Sequence, residues 1–140
     1  MAGKTLQLEV VTPDRVVFSE KDVVSVTAPG SVGYVGIMAN HAPFMTDLQV
    51  GILEFRRADN STDEVSINGG FLEVSDNVVT VLSSSAEMIH EIDITRAEDA
   101  KIRAEERLAA KNNDVDAERA RASLMRAMNR LKAANHLKTR

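Results

Sequence analysis

The fold is decided by the stretch FLEVSDNVVTVL, residues 71–82. Apolar residues alternate with polar ones on both sides of Asp76-Asn77, as Leu72 and Val74 do before it and Val79 and Val81 after it. A period of two residues places the apolar side chains on one face of a pleated strand. Asp and Asn are turn residues, because their short side chains bond to nearby backbone. The stretch therefore predicts two short strands separated by a turn.

The same pattern extends over the first 85 residues, where the alternating apolar residues are Leu6, Leu8, Val10, Val24, Val26, Leu53, Phe55, Val65 and Ile67. Turn residues interrupt it at 12–14, 29–31, 59–61 and 68–70. Short strands with turns roughly every ten residues are typical of a sandwich or barrel. We therefore expect an all-β sandwich of about ten short strands. A parallel α/β sheet is not expected, since no helical stretch separates the strands.

After Ile92 the apolar period changes to that of a helix. Asp93 is the expected N-cap of a first helix, and a second should run from about residue 115 or 116 to near His136. The predicted apolar stripes are Ala97, Ala100, Ala104 and Leu108 on the first helix, and Ala117, Ala120, Leu124, Ala127 or Met128, Leu131 and Ala134 on the second. Residues 111–114 form the link, so the helices should be antiparallel.

The domain organisation that follows is a β-sandwich over 1–86, then a linker and two-helix hairpin over 87–140. An alanine-lined contact buries little apolar area, at roughly 25 cal/mol per Å². We therefore expect the hairpin to be only marginally stable and able to open.

Composition excludes several classes of protein. The 140 residues contain no cysteine, which rules out disulfides and thiolate chemistry. Aromatic residues are scarce, which argues against a nucleic-acid binder that stacks bases. No apolar run reaches the roughly 20 residues of a membrane span. No targeting segment is expected, because residues 5–10 already alternate like a strand.

The net charge of −4 is unevenly distributed. Residues 1–90 carry five basic and twelve acidic side chains, and residues 91–140 carry twelve basic and nine acidic ones. After Glu118 every charged side chain is basic. A basic arm on an acidic body suggests an acidic protein surface, a nucleotide or a nucleic acid as partner, or otherwise a solvated helix face.

Several motifs in order along the chain resemble the epsilon subunits of F-type ATP synthases. They are GYVGIMANHAP at residues 33–43, NGGFLEV at 68–74, LEVVTPD at 8–14, IDITRA at 92–97 and RAMNRL at 126–131. The resemblance implies a non-catalytic central-stalk subunit that couples the γ subunit to the c-ring. It also implies that the C-terminal helices extend onto the α and β catalytic subunits and inhibit ATP hydrolysis.

The resemblance implies a rotor-contact loop that contains Gly33, Tyr34, Gly36 and His41. Catalysis by His41 is disfavoured, because no Ser, Asp or second His stands at a suggestive spacing. We expect no metal, no nucleic-acid partner and membrane contact only through the complex. The expected location is the cytoplasmic face of the bacterial inner membrane.

The arginines of the tail form the one cluster with ligand chemistry. A hairpin that turns near Asn113 sets Arg96 near Arg130, and Arg126 between Arg96 and Arg103. Guanidinium forks suit a polyphosphate, and without a Gly-rich phosphate loop the site would sense rather than hydrolyse. By resemblance to epsilon subunits that bind ATP, the regulatory site would comprise Glu87, Ile92, Asp93, Arg96, Ala97, Arg103, Arg126 and Arg130.

Other interpretations remain open at this point. The arginines could be satisfied by local ion pairs, such as Glu98 or Asp99 with Arg103 and Asp93 with Arg96, or serve only to dock on acidic protein. The chain could also be a stand-alone nucleotide sensor or adaptor. An enzyme finds little support, since Asp47, Glu54 and Glu73 form no compelling acid–base pair. Nucleic-acid binding by the tail is disfavoured by the acidic body.

Overall fold

A computed structural model describes residues 4–110 and 117–138, with side chains as far as residue 135. The chain divides into two compact units, Met1–Met88 and Ile89–Arg140. The strands are β1 Leu6–Val11, β2 Val16–Gly30, β3 Gly33–Met38, β4 Phe44–Arg57, β5 Thr62–Ser75, β6 Val78–Leu82 and β7 Ala86–Met88. A short 3-10 turn, Ile89–Glu91, precedes helices α1 Ile94–Ala109 and α2 Ala117–Lys138.

The strands of the first unit pair into a nearly closed sheet. Their order is β1-β6-β5-β4-β2-β3, and β1 also pairs with β2, so five strands form a ring. The pairing of β1 is parallel with β6 and antiparallel with β2. β7 adds to β5, and β3 extends the sheet beyond β2. The all-β sandwich followed by two helices is confirmed, with a barrel-like closure that the periodicity did not reveal.

Residues 4–110 form seven strands rather than about ten short ones, because three strands are unusually long. β2 has 15 residues, and β4 and β5 have 14 each. The turn predicted at Asn68-Gly69-Gly70 is wrong, since these residues lie inside β5. Gly69 (φ +77°) and Gly70 (φ +116°) bend the strand where it passes from β7 to β6 as a partner. Gly-Gly therefore marks a bend between two pairings, not a reversal.

The core of the first unit follows the predicted alternation almost throughout. Fully or nearly fully buried side chains include Leu6, Leu8, Val10, Leu53, Phe55, Val65, Ile67, Leu72, Val74, Val79 and Val81. The exception is Val24, which is only half-buried, whereas Val23 and Val26 are buried. A register shift between Val23 and Ser25 explains this, because one extra residue moves the preceding side chains to the other face.

Arg57, the last residue of β4, bonds to side chains of β2 and β5. Its Nε donates to both carboxylate oxygens of Glu20, at 2.9 and 2.8 Å, and its Nη2 pairs with Asp63 at 3.4 Å. The guanidinium also lies 4.9 Å from the centroid of the Phe55 ring. Burial lowers the pKa of Arg57, but the bonds and charges of Glu20 and Asp63 outweigh it and raise the pKa overall. The guanidinium of Arg57 therefore keeps its positive charge throughout the neutral range.

The two helices pack against each other, and α2 also contacts the 3-10 turn that precedes α1. The predicted N-cap is confirmed, since the Asp93 carboxylate accepts a bond from the backbone N–H of Arg96 at 3.0 Å. Of the predicted apolar stripes, Ala97, Ala104, Ala120, Ala127 and Ala134 are buried. Ala117 and Met128 are exposed, and Ala100, Leu108, Leu124 and Leu131 are only half-buried. The predicted link at 111–114 lies outside the described residues.

Candidate functional site

Of the arginines on α1, Arg96 and Arg103 belong to the predicted ATP set, and both are exposed. Arg96 is in the first turn of the helix and Arg103 is two turns further on, so they share a face. Within residues 4–110 and 117–135, neither guanidinium takes part in an ion pair with an acidic side chain. The local pairs of Arg103 with Glu98 or Asp99 are therefore not formed among these residues. Asp93 caps the backbone of the helix and does not pair with the Arg96 guanidinium.

Two more arginines lie half-buried on α2. Arg126 donates from Nη2 to the Ser123 hydroxyl, three residues earlier, at 3.0 Å. Arg130 follows one turn later and has contacts of its own. The bond to Ser123 fixes one edge of the Arg126 guanidinium and leaves its other N–H groups for a further acceptor. Ser123 was not predicted as part of the site, although a hydroxyl three residues before an arginine can be recognised in the sequence.

Of the remaining residues of the predicted ATP set, Ile92 and Ala97 lie in the second unit and Glu87 lies in the first. Ile92 is half-buried, and its backbone N–H donates to the Ile89 carbonyl at 3.4 Å. Ala97 is fully buried, so it contributes close helix packing rather than an exposed surface. Glu87 lies in β7, in the first unit, where its backbone pairs with Ser66. The arrangement within the second unit thus combines Asp93 with four arginines on two packed helices.

The predicted rotor-contact loop is mostly a strand. Gly33, Tyr34 and Gly36 belong to β3, which pairs with the end of β2 in a hairpin closed at Ser31-Val32. The expectation of a loop over these residues is wrong, because the apolar alternation of β3 is masked by its two glycines. The tip is strongly apolar on its outer side, where Val32 is 95% exposed and Tyr34 68% exposed.

His41 lies in the turn between β3 and β4. Its backbone N–H donates to the Met38 carbonyl at 3.2 Å, and its ring lies edge-on to Phe44 at 5.7 Å. Nδ1 is 2.7 Å from the Ala42 carbonyl, and since a carbonyl oxygen only accepts, Nδ1 carries the proton. No acidic or nucleophilic side chain bonds to this ring among the described residues.

Surface cavities of the first unit lie away from both predicted sites, and two of them are well defined. One, of about 510 Å³, is lined by Glu20, Asp22, Arg57 and Asp59, among others. The other, of about 450 Å³, is mainly apolar and is lined by Pro13, Phe71 and Leu82 with their neighbours. Neither contains a residue of the predicted ATP or rotor-contact sets. No cluster of three or more His, Asp or Glu suited to a metal ion exists within the described part of the chain.

Family models match both units of the chain. A family model described as the beta-sandwich domain of the ATP synthase delta/epsilon chain matches residues 5–89. A second, described as the long alpha-helix domain of the same chain, matches residues 90–135. The chain belongs to the ATP synthase delta/epsilon family. Two curated relatives support the epsilon resemblance, both called ATP synthase epsilon chain.

The relative from Pelotomaculum thermopropionicum is 52% identical over 134 residues, which is 96% of this chain and 98% of the relative. That from Natranaerobius thermophilus is 48% identical over 135 residues, or 96% and 95%. Among solved structures, a chain of the Euglena gracilis mitochondrial ATP synthase, in a structure of OSCP, F1 and c-ring, aligns with a TM-score of 0.78. Its identity is 26%, over 94% of this chain and 82% of that one. A chain of the Tetrahymena thermophila central stalk and c-ring structure, 18% identical with a TM-score of 0.62, shares the fold.

As a delta/epsilon member, the chain is a non-catalytic subunit of the ATP synthase central stalk. This outcome rules out the interpretations as an enzyme and as a stand-alone sensor or adaptor. No described helix of this delta/epsilon chain is long and apolar enough to cross a bilayer.

Proposed function

We propose that this subunit couples the γ subunit to the c-ring and regulates ATP hydrolysis by the synthase. In this proposal the sandwich binds the γ subunit and the c-ring, and the hairpin restrains ATP hydrolysis when it extends onto the α and β subunits. ATP bound by the folded hairpin opposes that extension. The subunit then lies peripherally at the cytoplasmic face of a bacterial inner membrane, held there by the complex.

The observation that carries the regulatory part is the set of arginines on the hairpin. Arg96 and Arg103 are exposed on α1 and make no ion pair within the described residues, while Arg126 and Arg130 are half-buried on the helix that packs against α1. Gathering guanidinium groups on a small surface is unfavourable until an anion compensates their charge. A polyphosphate does so with bidentate, charge-assisted hydrogen bonds.

Two further residues of the predicted set have chemistry that suits a nucleotide. Ile92 supplies an apolar side chain beside the start of α1, and Asp93 supplies an acceptor whose first oxygen is occupied by the cap. A carboxylate next to a phosphate is repulsive, so the role of Asp93 is to accept from an amino group and to hold Arg96 in place.

The extended state relies on the charge of α2. Every charged residue after Glu118 is basic, which complements an acidic surface of a catalytic subunit. A ligand shifts such an equilibrium only as far as its affinities for the two states differ. ATP that needs arginines of both helices binds the folded hairpin and not the extended one.

The rotor part is supported by the apolar tip of the β2–β3 hairpin and by the His41 turn, which follows the other end of β3. Gln49 holds the tip in place by donating to the carbonyls of Gly30 and Ser31, at 2.7 and 3.3 Å. Exposed apolar side chains on a rigid hairpin are suited to a protein interface, because their burial there removes apolar area from water.

Calorimetric titration of the full chain with ATP and MgATP tests the regulatory part. We expect Arg103→Ala and Arg126→Ala each to weaken ATP binding at least about tenfold, equivalent to ~1.4 kcal/mol. Lys101→Ala is the matched control, since Lys101 is a cation of α1 that pairs with Glu105 at 3.8 Å outside the proposed set. Absence of heat at millimolar ATP, or equal losses in all three variants, would remove ATP from the proposal.

A further inference from the structure

The His41 turn is tied to a distant hairpin by two asparagines. The backbone N–H of Asn40 donates to Asn77 Oδ1 at 2.6 Å, and Asn77 Nδ2 donates to Asn40 Oδ1 at 3.4 Å. The two residues are 37 positions apart, so this contact is not part of the local turn. It joins the connection between β3 and β4 to the connection between β5 and β6.

Asn77 is itself firmly held. It follows Asp76 in the β5–β6 turn, and both have left-handed backbones, with φ of +62° and +48°. Its carbonyl accepts from the backbone N–H of Gln7 at 2.9 Å, which ties the turn to the start of β1. The ladder on either side, Ser75 opposite Val78, closes the hairpin without the Asn77 side chain. The Asn77 side chain is therefore available to bond to Asn40.

The bond to Asn77 supports an unusual backbone conformation at Asn40. Its φ of +65° is unusual for a residue with a side chain, and it lies between β3 and β4, outside the sheet ladder. Asn77 supplies the acceptor for the backbone N–H of Asn40. The residue that follows is His41, whose own N–H closes the turn onto Met38.

We propose that Asn77 is a positioning residue, which fixes the Asn40–His41 turn in the orientation needed at the rotor. The inference rests on the proposed function of this turn as a rotor contact, and it adds a residue from another hairpin to that contact. Its effect is indirect: Asn77 holds Asn40, and Asn40 sets the direction of His41.

Three substitutions isolate the side chain of Asn77. Asn77→Gly removes it and keeps the left-handed backbone available. Asn77→Asp keeps an oxygen that accepts from Asn40. Asn60→Gly is the matched control, because Asn60 has a similar φ of +70° in the β4–β5 turn. Its backbone N–H donates to the backbone carbonyl of Arg57 at 3.0 Å.

The first readout is amide exchange of the full chain by NMR. We expect the Asn40 amide to exchange at least about tenfold faster in Asn77→Gly, and at the native rate in Asn77→Asp and Asn60→Gly. Core amides such as that of Val79 should exchange alike in all four proteins. Native protection of Asn40 in Asn77→Gly would overturn the inference without bearing on the rotor contact.

The second readout is coupling in ATP synthase reconstituted with each variant, measured as protons pumped per ATP hydrolysed. Asn77→Gly should lower this ratio, and Asn77→Asp should restore it. His41→Ala separates the two claims. If His41→Ala lowers the ratio and Asn77→Gly does not, the positioning role is overturned. If both leave it unchanged, the proposed rotor contact at this turn is overturned.

Discussion

At the scale of single residues, Gly70 is the position that allows β5 to bend within the sandwich. It lies at the bend of β5 with φ +116°, a region that side-chain-bearing residues rarely adopt. A Cβ built at this position would overlap the carbonyl oxygen of Leu82 in β6 and crowd Ser83. The close approach of the two backbones is what lets β5 change partners without leaving the sheet.

We therefore expect Gly70→Ala to lower the free energy of unfolding by at least about 2 kcal/mol, through backbone strain and the displacement of β6. Urea denaturation of the full chain measures it. Gly36→Ala is the control, because a Cβ at Gly36 meets no atom within 4 Å and needs no positive φ. That change should be neutral or stabilise by up to about 0.5 kcal/mol. Equal stability of the two variants would contradict the role given to Gly70.

At the scale of elements, the hairpin and the sheet differ in how they are stabilised. The sheet buries Val, Leu, Ile and Phe side chains, whereas the buried side chains of α1 and α2 are alanines. Alanines allow close helix packing but bury little apolar area each. End effects such as the Asp93 cap therefore provide a larger share of the stability of the helices.

Asp93→Ala should destabilise the start of α1 by about 1 kcal/mol, or roughly fivefold in its opening equilibrium. Amide exchange should accelerate by that factor in the first turns of α1 and stay unchanged in β4 and β5. Asp99→Ala serves as the comparison, since Asp99 is exposed within α1, where alanine is the better helix former. Faster exchange in both variants, or in neither, would argue against capping as the cause.

The elements also show what the sequence could predict. Alternation located most core residues, and a change of period located both helices, because each depends on neighbours within one element. The same local signals failed at Asn68-Gly69-Gly70, where only the neighbouring strands decide between a turn and a bend. They failed at Val24 because a bulge depends on the partner strand. The bond between Asn40 and Asn77 was invisible for the same reason, while the resemblance alone supplied Ile92 and Ala97 for the nucleotide site.

At the scale of the whole molecule, charge separates along the chain. The sandwich part is acidic and the tail is basic, and α2 is basic after Glu118. Opposite ends thus suit different partners, and electrostatic attraction between exposed surfaces weakens with salt. Under the proposed function, this separation lets the subunit stay attached through one unit while the other changes partners.

A chain ending at residue 90 should raise the rate of ATP hydrolysis of the reconstituted enzyme, because the proposed inhibitory helices are missing, and should assemble as the full chain does. Hydrolysis and subunit stoichiometry are measured on the same preparation. The full chain with Arg121→Gln and Lys132→Gln, both exposed on α2, tests whether charge is the cause and should show weaker, less salt-sensitive inhibition. An unchanged hydrolysis rate after truncation would refute the inhibitory role.

The pairing of β1 with β6 has a consequence for how the chain is made. Gln7 lies opposite Val78, and Val11 lies opposite Leu82, so the ring of strands cannot close until the residues of β6 are available. On the ribosome, β1 has emerged long before its parallel partner, and contacts between distant residues form slowly. The tail that follows β6 provides a spacer of more than fifty residues behind it. The ring of strands therefore closes only after residue 82 has been made, late in the synthesis of the sandwich.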